Sequence, residues 1–213
     1  MYPNLIGFLV KVGIIGVVFY SIIIHEVSHG LTAYWLGDDT AKRRGRLSLN
    51  PLSHIDWFGT VIMPLILYFS AGFVFGYAKP VPINPYNFKN YKRDTGITAA
   101  AGPLSNILIA ILFALVFHLS GSASVISYLC VPIIQINLLL AMFNLIPIPP
   151  LDGSKVLGMF LSDEAYFRYT AQERTGMIVL FGLIIISNMM HLNLIGRFIS
   201  PLIGFAMRLL GIY

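Results

Sequence analysis

The chain has 213 residues, 57% hydrophobic and 11% charged, with a mean hydropathy of +0.79 and a net charge of +5. That is too little charge to cover a soluble domain of this size. The composition therefore predicts one integral membrane domain over 1–213 and, with no interleaved basic-aromatic patch, gives no reason to invoke nucleic acid. Taken in chain order, the first element is Leu5–Ile24, 20 residues with a single charge at Lys11. As a helix it spans roughly 30 Å, the thickness of a bilayer's hydrocarbon core. It is too long for a signal peptide and is followed by no small-residue cleavage site.

Five further apolar blocks follow, at Trp57–Tyr77, Ile97–Leu119, Val125–Ile146, Met177–Met190 and Leu194–Leu210. The fold class read from them is an all-α polytopic membrane protein, with about five transmembrane helices and one re-entrant or spanning segment. A core over 5–160 is followed by a C-terminal helix pair over 175–212. Basic residues cluster at 37–56 and at 78–95, flanking Trp57–Tyr77 on both sides. Positive loops stay cytoplasmic, so this segment is expected to dip into the membrane and return, aided by Pro64, Gly72 and Gly76. The first helix then runs from outside to inside. Cys130, the single cysteine, excludes an internal disulfide and a multi-cysteine metal cluster; its apolar surroundings predict packing. Gly37-Asp38-Asp39 reads as a solvated helix stop, Asp56 as a cap, and His54, His118 and His191 as interfacial side chains.

The stretch SIIIHEVSHGLTAYWLG, residues 21–37, places His25, Glu26 and His29 at the inner end of the first helix. Ionisable groups inside a membrane helix are costly and rarely idle. Histidines four residues apart lie on one helix face and can share a metal ion. Glu26, about 100° round the helix, can face water at such an ion without ligating it. This is the HExxH zinc hydrolase arrangement. A catalytic zinc usually takes three protein ligands, and the best candidate for the third is Asp152 in NLIPIPPLDGSKV, residues 144–156. Pro147, Pro149 and Pro150 end the preceding helix, leaving Asp152 at its mouth, as a ligand or as the N-cap of a short helix over 153–161.

HEVSH, AAGPLSN (residues 100–106) and NLIPIPPLDG, in that order and each at the edge of an apolar block, resemble the motifs of the site-2 protease family of intramembrane zinc metalloproteases. Small prokaryotic members without a PDZ domain are the most similar. The resemblance covers residues 20–156. It implies one Zn²⁺ per chain held by His25, His29 and Asp152, with Glu26 as catalytic base and Asn144 assisting at the substrate or oxyanion. It also implies regulated proteolysis of single-pass membrane proteins in a prokaryotic cytoplasmic membrane. In YAKPVPIN, residues 77–84, the prolines predict extended backbone. By resemblance this is the edge segment near the zinc, where Lys79, Val81 and Ile83 can pair with an unwound substrate; a rigid proline loop is the alternative. Asn106 reads as a helix–helix hydrogen-bonding residue or an active-site group. A membrane metal transporter and an inactive zinc-stabilised scaffold are the rival functions. Oligomeric state is not legible.

Overall fold

The computed structural model describes residues 2–71, 79–121, 124–190 and 192–212. Gly72, Gly76, Tyr77, Ala78 and His191 lie outside them, with the sequence expectations attached to them. All regular elements among the described residues are helical: α1 (Tyr2–Trp35), α2 (Thr40–Arg43), α3 (Met63–Ala71), α4 (Tyr91–Ser120), α5 (Val125–Asn144), α6 (Asp152–Gly158), α7 (Asp163–Thr170), α8 (Glu173–Met189) and α9 (Leu194–Leu209).

Among the described residues, three helices are long and apolar enough to cross a membrane: Val10–Trp35 within α1, α4 and α5. The α7–α8 pair, bent by 54°, makes a fourth if it is one broken span. Helix α9 has 16 residues, fewer than the roughly 20 that a straight crossing needs.

Helix α4 is the hub, packing against α1, α5 and α6. Its small residues set the spacing: Ala110 and Ala114 are buried with Cys130, Ile134 and Leu138 of α5 and with Met207 and Ile212 from the C-terminal end. Cys130 is thus a packing residue, as its surroundings predict. His118 donates through Nε2 to the Leu210 carbonyl, at 2.8 Å, fastening the end of α4 to the end of α9.

The segment from Trp57 opens as a π-helical turn over Trp57–Ile62 and continues as α3. Asp56 caps it, accepting from the Gly59 N–H at 2.8 Å. Its two flanks meet: the Lys79 N–H donates to the His54 carbonyl at 2.9 Å. Arg46 clamps the junction, donating to the carbonyls of Ser53, Lys79 and Pro80. The two flanks of this segment are therefore held together at one point.

His54 is fully buried, donating through Nε2 to the Ser48 carbonyl at 2.7 Å. One sequence expectation changes here. Asp38 is not solvated but fully buried. It accepts from the Thr40 N–H and hydroxyl, from the Asn84 N–H at 2.7 Å and from the Asn87 amide at 2.7 Å. The reason is long-range: the chain folds back 46 residues later to supply the donors.

Burial favours the neutral form of Asp38, but the Thr40, Asn84 and Asn87 donors outweigh it and hold the carboxyl below its usual range. Because folding lowers this pKa, the anchor is complete above the ordinary carboxylate value and is lost as pH falls through the lowered one. Asp38→Ala strands these donors and is expected to cost about 2–3 kcal/mol. That is read as a lower thermal midpoint and faster amide exchange over 79–88; wild-type stability in this variant would show that the anchor does not hold the segment.

Candidate active site

His25 and His29 project from the buried face of α1, each 7% exposed. Asp152 is the first residue of α6, and Leu151, not Asp152, occupies the cap position. Its carboxylate is therefore directed at the histidines rather than spent on its own helix. The turn depends on Gly153, where an added Cβ would fall 2.1 Å from the Leu145 carbonyl oxygen. The glycine of LDG is required by the close pass of α6 over the end of α5.

The three ligand atoms form a nearly equilateral triangle. His25 Nε2 and His29 Nε2 are 3.1 Å apart, and Asp152 Oδ2 lies 3.2 Å from the first and 3.3 Å from the second. A tetrahedral zinc ion with bonds near 2.0 Å has ligand–ligand edges of about 3.3 Å. The donor set fits as well: two imidazoles and a carboxylate converge, a combination that zinc favours.

The Nδ1 atoms point away from this triangle. His29 Nδ1 lies 2.8 Å from the Thr98 carbonyl, which can only accept, so Nδ1 carries the proton and Nε2 offers its lone pair. His25 Nδ1 lies 2.6 Å from Asn106 Oδ1. Burial of the Asp152 carboxyl favours its neutral form, yet the two imidazoles hold its pKa well below the usual carboxylate range. Gly102 of AAGPLSN lets α4 approach this closely, because a Cβ there would sit 2.4 Å from His29 Nε2.

Glu26 stands beside the ligands without belonging to the triangle. Its Oε2 accepts from the Val81 N–H at 2.9 Å. The described part of this segment, residues 79–84, thus lies against Glu26 and forms no regular strand. Its donors are engaged within the chain: Val81 N–H by Glu26 and Lys79 N–H by His54, while Ile83 is half-buried. Asn144 closes α5 and donates to the Leu140 carbonyl at 2.9 Å. The structure gives it no bond to His25, His29 or Asp152.

Residues 120–189 match the model of peptidase family M50, which includes Asp152 but not the histidine helix. The longer comparison decides the matter. The chain is 36% identical over 168 residues to YwhC of Bacillus subtilis, named as a candidate zinc metalloprotease, covering 75% of this chain and 74% of the relative. This chain belongs to peptidase family M50, the site-2 protease family. Two more relatives carry the same candidate designation. MJ0611 of Methanocaldococcus jannaschii is 31% identical over 160 residues, covering 73% of this chain and 74% of its own. Rip2 of Mycolicibacterium smegmatis is 26% identical over 178 residues, covering 78% and 63%. No solved structure matches the chain significantly. Membership of M50 and these relatives support a zinc-dependent protease, and the apolar helices a multi-pass membrane protein.

Proposed function

We propose that this M50 chain is an intramembrane endopeptidase that hydrolyses transmembrane segments of single-pass membrane proteins in a prokaryotic cytoplasmic membrane. The observation that carries the reading is the convergence of His25 and His29, on a helix apolar enough to cross a membrane, with Asp152 of α6, Glu26 standing alongside. His25, His29 and Asp152 hold one Zn²⁺, whose Lewis acidity lowers the pKa of water and polarises a carbonyl.

The chain's own groups carry the proton. Glu26 takes it from the attacking water as oxygen adds to the scissile carbonyl, and returns it to the amine as the C–N bond breaks. Asn144, turned from the Leu140 carbonyl, donates to the developing oxyanion. A substrate strand pairing along Lys79, Val81 and Ile83 takes over the Val81 N–H, which releases the Glu26 carboxylate for this task. Pairing also keeps the scissile bond extended.

The test is metal removal from the full chain in liposomes, with a single-pass reporter protein as substrate. Chelation is expected to abolish cleavage and Zn²⁺ to restore it, with product ends mapping inside the transmembrane segment by mass spectrometry. Cleavage that persists in the stripped enzyme, or that maps outside the segment, overturns the proposal.

A further inference from the structure

Asn106 of α4 and Asn137 of α5 are both fully buried, and neither is a metal ligand. They form a chain of amides that ends on His25. Asn137 Nδ2 donates to the Ile133 carbonyl at 2.9 Å. Asn137 Oδ1 accepts from Asn106 Nδ2 at 3.0 Å. Asn106 Oδ1 faces His25 Nδ1 at 2.6 Å, and its Nδ2 also approaches the Ser21 carbonyl, at 3.5 Å.

The oxygen and nitrogen of an amide are told apart by their partners. Here the partners decide, because the Nδ2 of each amide also faces a backbone carbonyl, Ser21 for Asn106 and Ile133 for Asn137, and a carbonyl only accepts. Turning Asn106 over would place its oxygen against the Ser21 carbonyl. Asn137 would then have to turn as well, which puts its oxygen against the Ile133 carbonyl. Both contacts are repulsive and shut away from water.

We infer that Asn137 is a positioning residue for the zinc site: acting through Asn106, it fixes the proton of His25 on Nδ1 and reserves Nε2 for the metal. His29 needs no such relay, since a backbone carbonyl faces it directly. Asn137 is the third link from the metal and its side chain bonds to Asn106 and the Ile133 carbonyl, so its effect is exerted through amide direction. The inference rests on the zinc reading of His25, His29 and Asp152.

The experiment measures Zn²⁺ affinity of the full, detergent-solubilised chain by competition with a chromophoric chelator. Asn137→Leu is expected to weaken zinc by about 10- to 100-fold, the usual cost of losing a partner that orients a ligand. In an Asn106→Asp background the same change is expected to cause no further loss, because a carboxylate presents an acceptor to His25 whichever way it is turned. Equal losses in both backgrounds would indicate packing alone and overturn the inference, as would no loss in the native background.

Should these variants fail to fold, ¹⁵N-histidine NMR of the unaltered zinc-loaded chain decides. The His25 proton is expected on Nδ1 and the metal on Nε2; the reverse overturns the relay. Asp152→Ala, run in parallel, separates the two levels. Full zinc retention there removes the site itself, whereas zinc loss there without any loss in Asn137→Leu removes only the relay.

Discussion

Glu26→Gln is expected to keep zinc in place and to slow peptide hydrolysis by about 10²- to 10⁴-fold, the usual contribution of a positioned acid–base group. The structure makes this a clean substitution. Glu26 is not one of the three converging ligands, and its bond from the Val81 N–H can be kept by the amide oxygen of glutamine. The edge segment therefore stays where it is and only the ability to take a proton is lost. Glu26→Ala removes the Val81 bond as well, so comparing the two separates chemistry from placement of the segment. Zinc content after gel filtration and single-turnover cleavage of a membrane substrate are the measurements. Turnover near the wild-type rate in Glu26→Gln would assign the base elsewhere.

Gly102→Ala is expected to expel the metal while leaving the helices folded. A methyl group there would lie 2.4 Å from His29 Nε2 and 2.6 Å from His25 Nε2, within the space the ligand atoms enclose. Neither ring can swing aside without losing its Nδ1 partner, the Thr98 carbonyl in one case and Asn106 in the other. Both partners belong to α4, the helix that carries Gly102. Alanine, moreover, favours a helix over glycine by about 1 kcal/mol, so α4 itself has no reason to unravel. The loss of zinc affinity is expected to exceed the roughly 10- to 100-fold that disturbing an outer partner causes, and cleavage falls with it. Circular dichroism and metal analysis check the two halves of this expectation. Wild-type zinc content in Gly102→Ala would mean that α4 does not approach the histidines this closely.

The parts of the site that were legible from sequence are those written in short-range spacing. His25 and His29 share a face because a helix repeats every 3.6 residues, and Asp152 follows prolines that stop α5. What was not legible depends on packing across long separations. Asn106 reads as a helix–helix hydrogen-bonding residue or an active-site group, with no partner named; that one partner is His25, 81 positions away, is a product of how closely α1 and α4 pack. The contact between Glu26 and Val81, 55 positions apart, is of the same kind. Asp38 shows the failure most plainly: its neighbours Gly37 and Asp39 describe an exposed turn, and only the returning chain at Asn84 and Asn87 buries it. The membrane helices were easy to find by apolar length, but α9, a separate apolar block in the sequence, forms only 16 helical residues.

The bond between the His54 carbonyl and the Lys79 N–H has a bearing on how this architecture can vary. A stretch whose ends are already joined is, to the rest of the molecule, a closed excursion of adjustable length. Lengthening such an excursion costs only logarithmically in chain entropy. The path from α1 to α4, with the histidines and Gly102 that it brings together, passes through the His54–Lys79 junction rather than through what hangs from it. A change in the length of that stretch therefore costs little chain entropy and leaves the spacing of the histidines and Gly102 as it is.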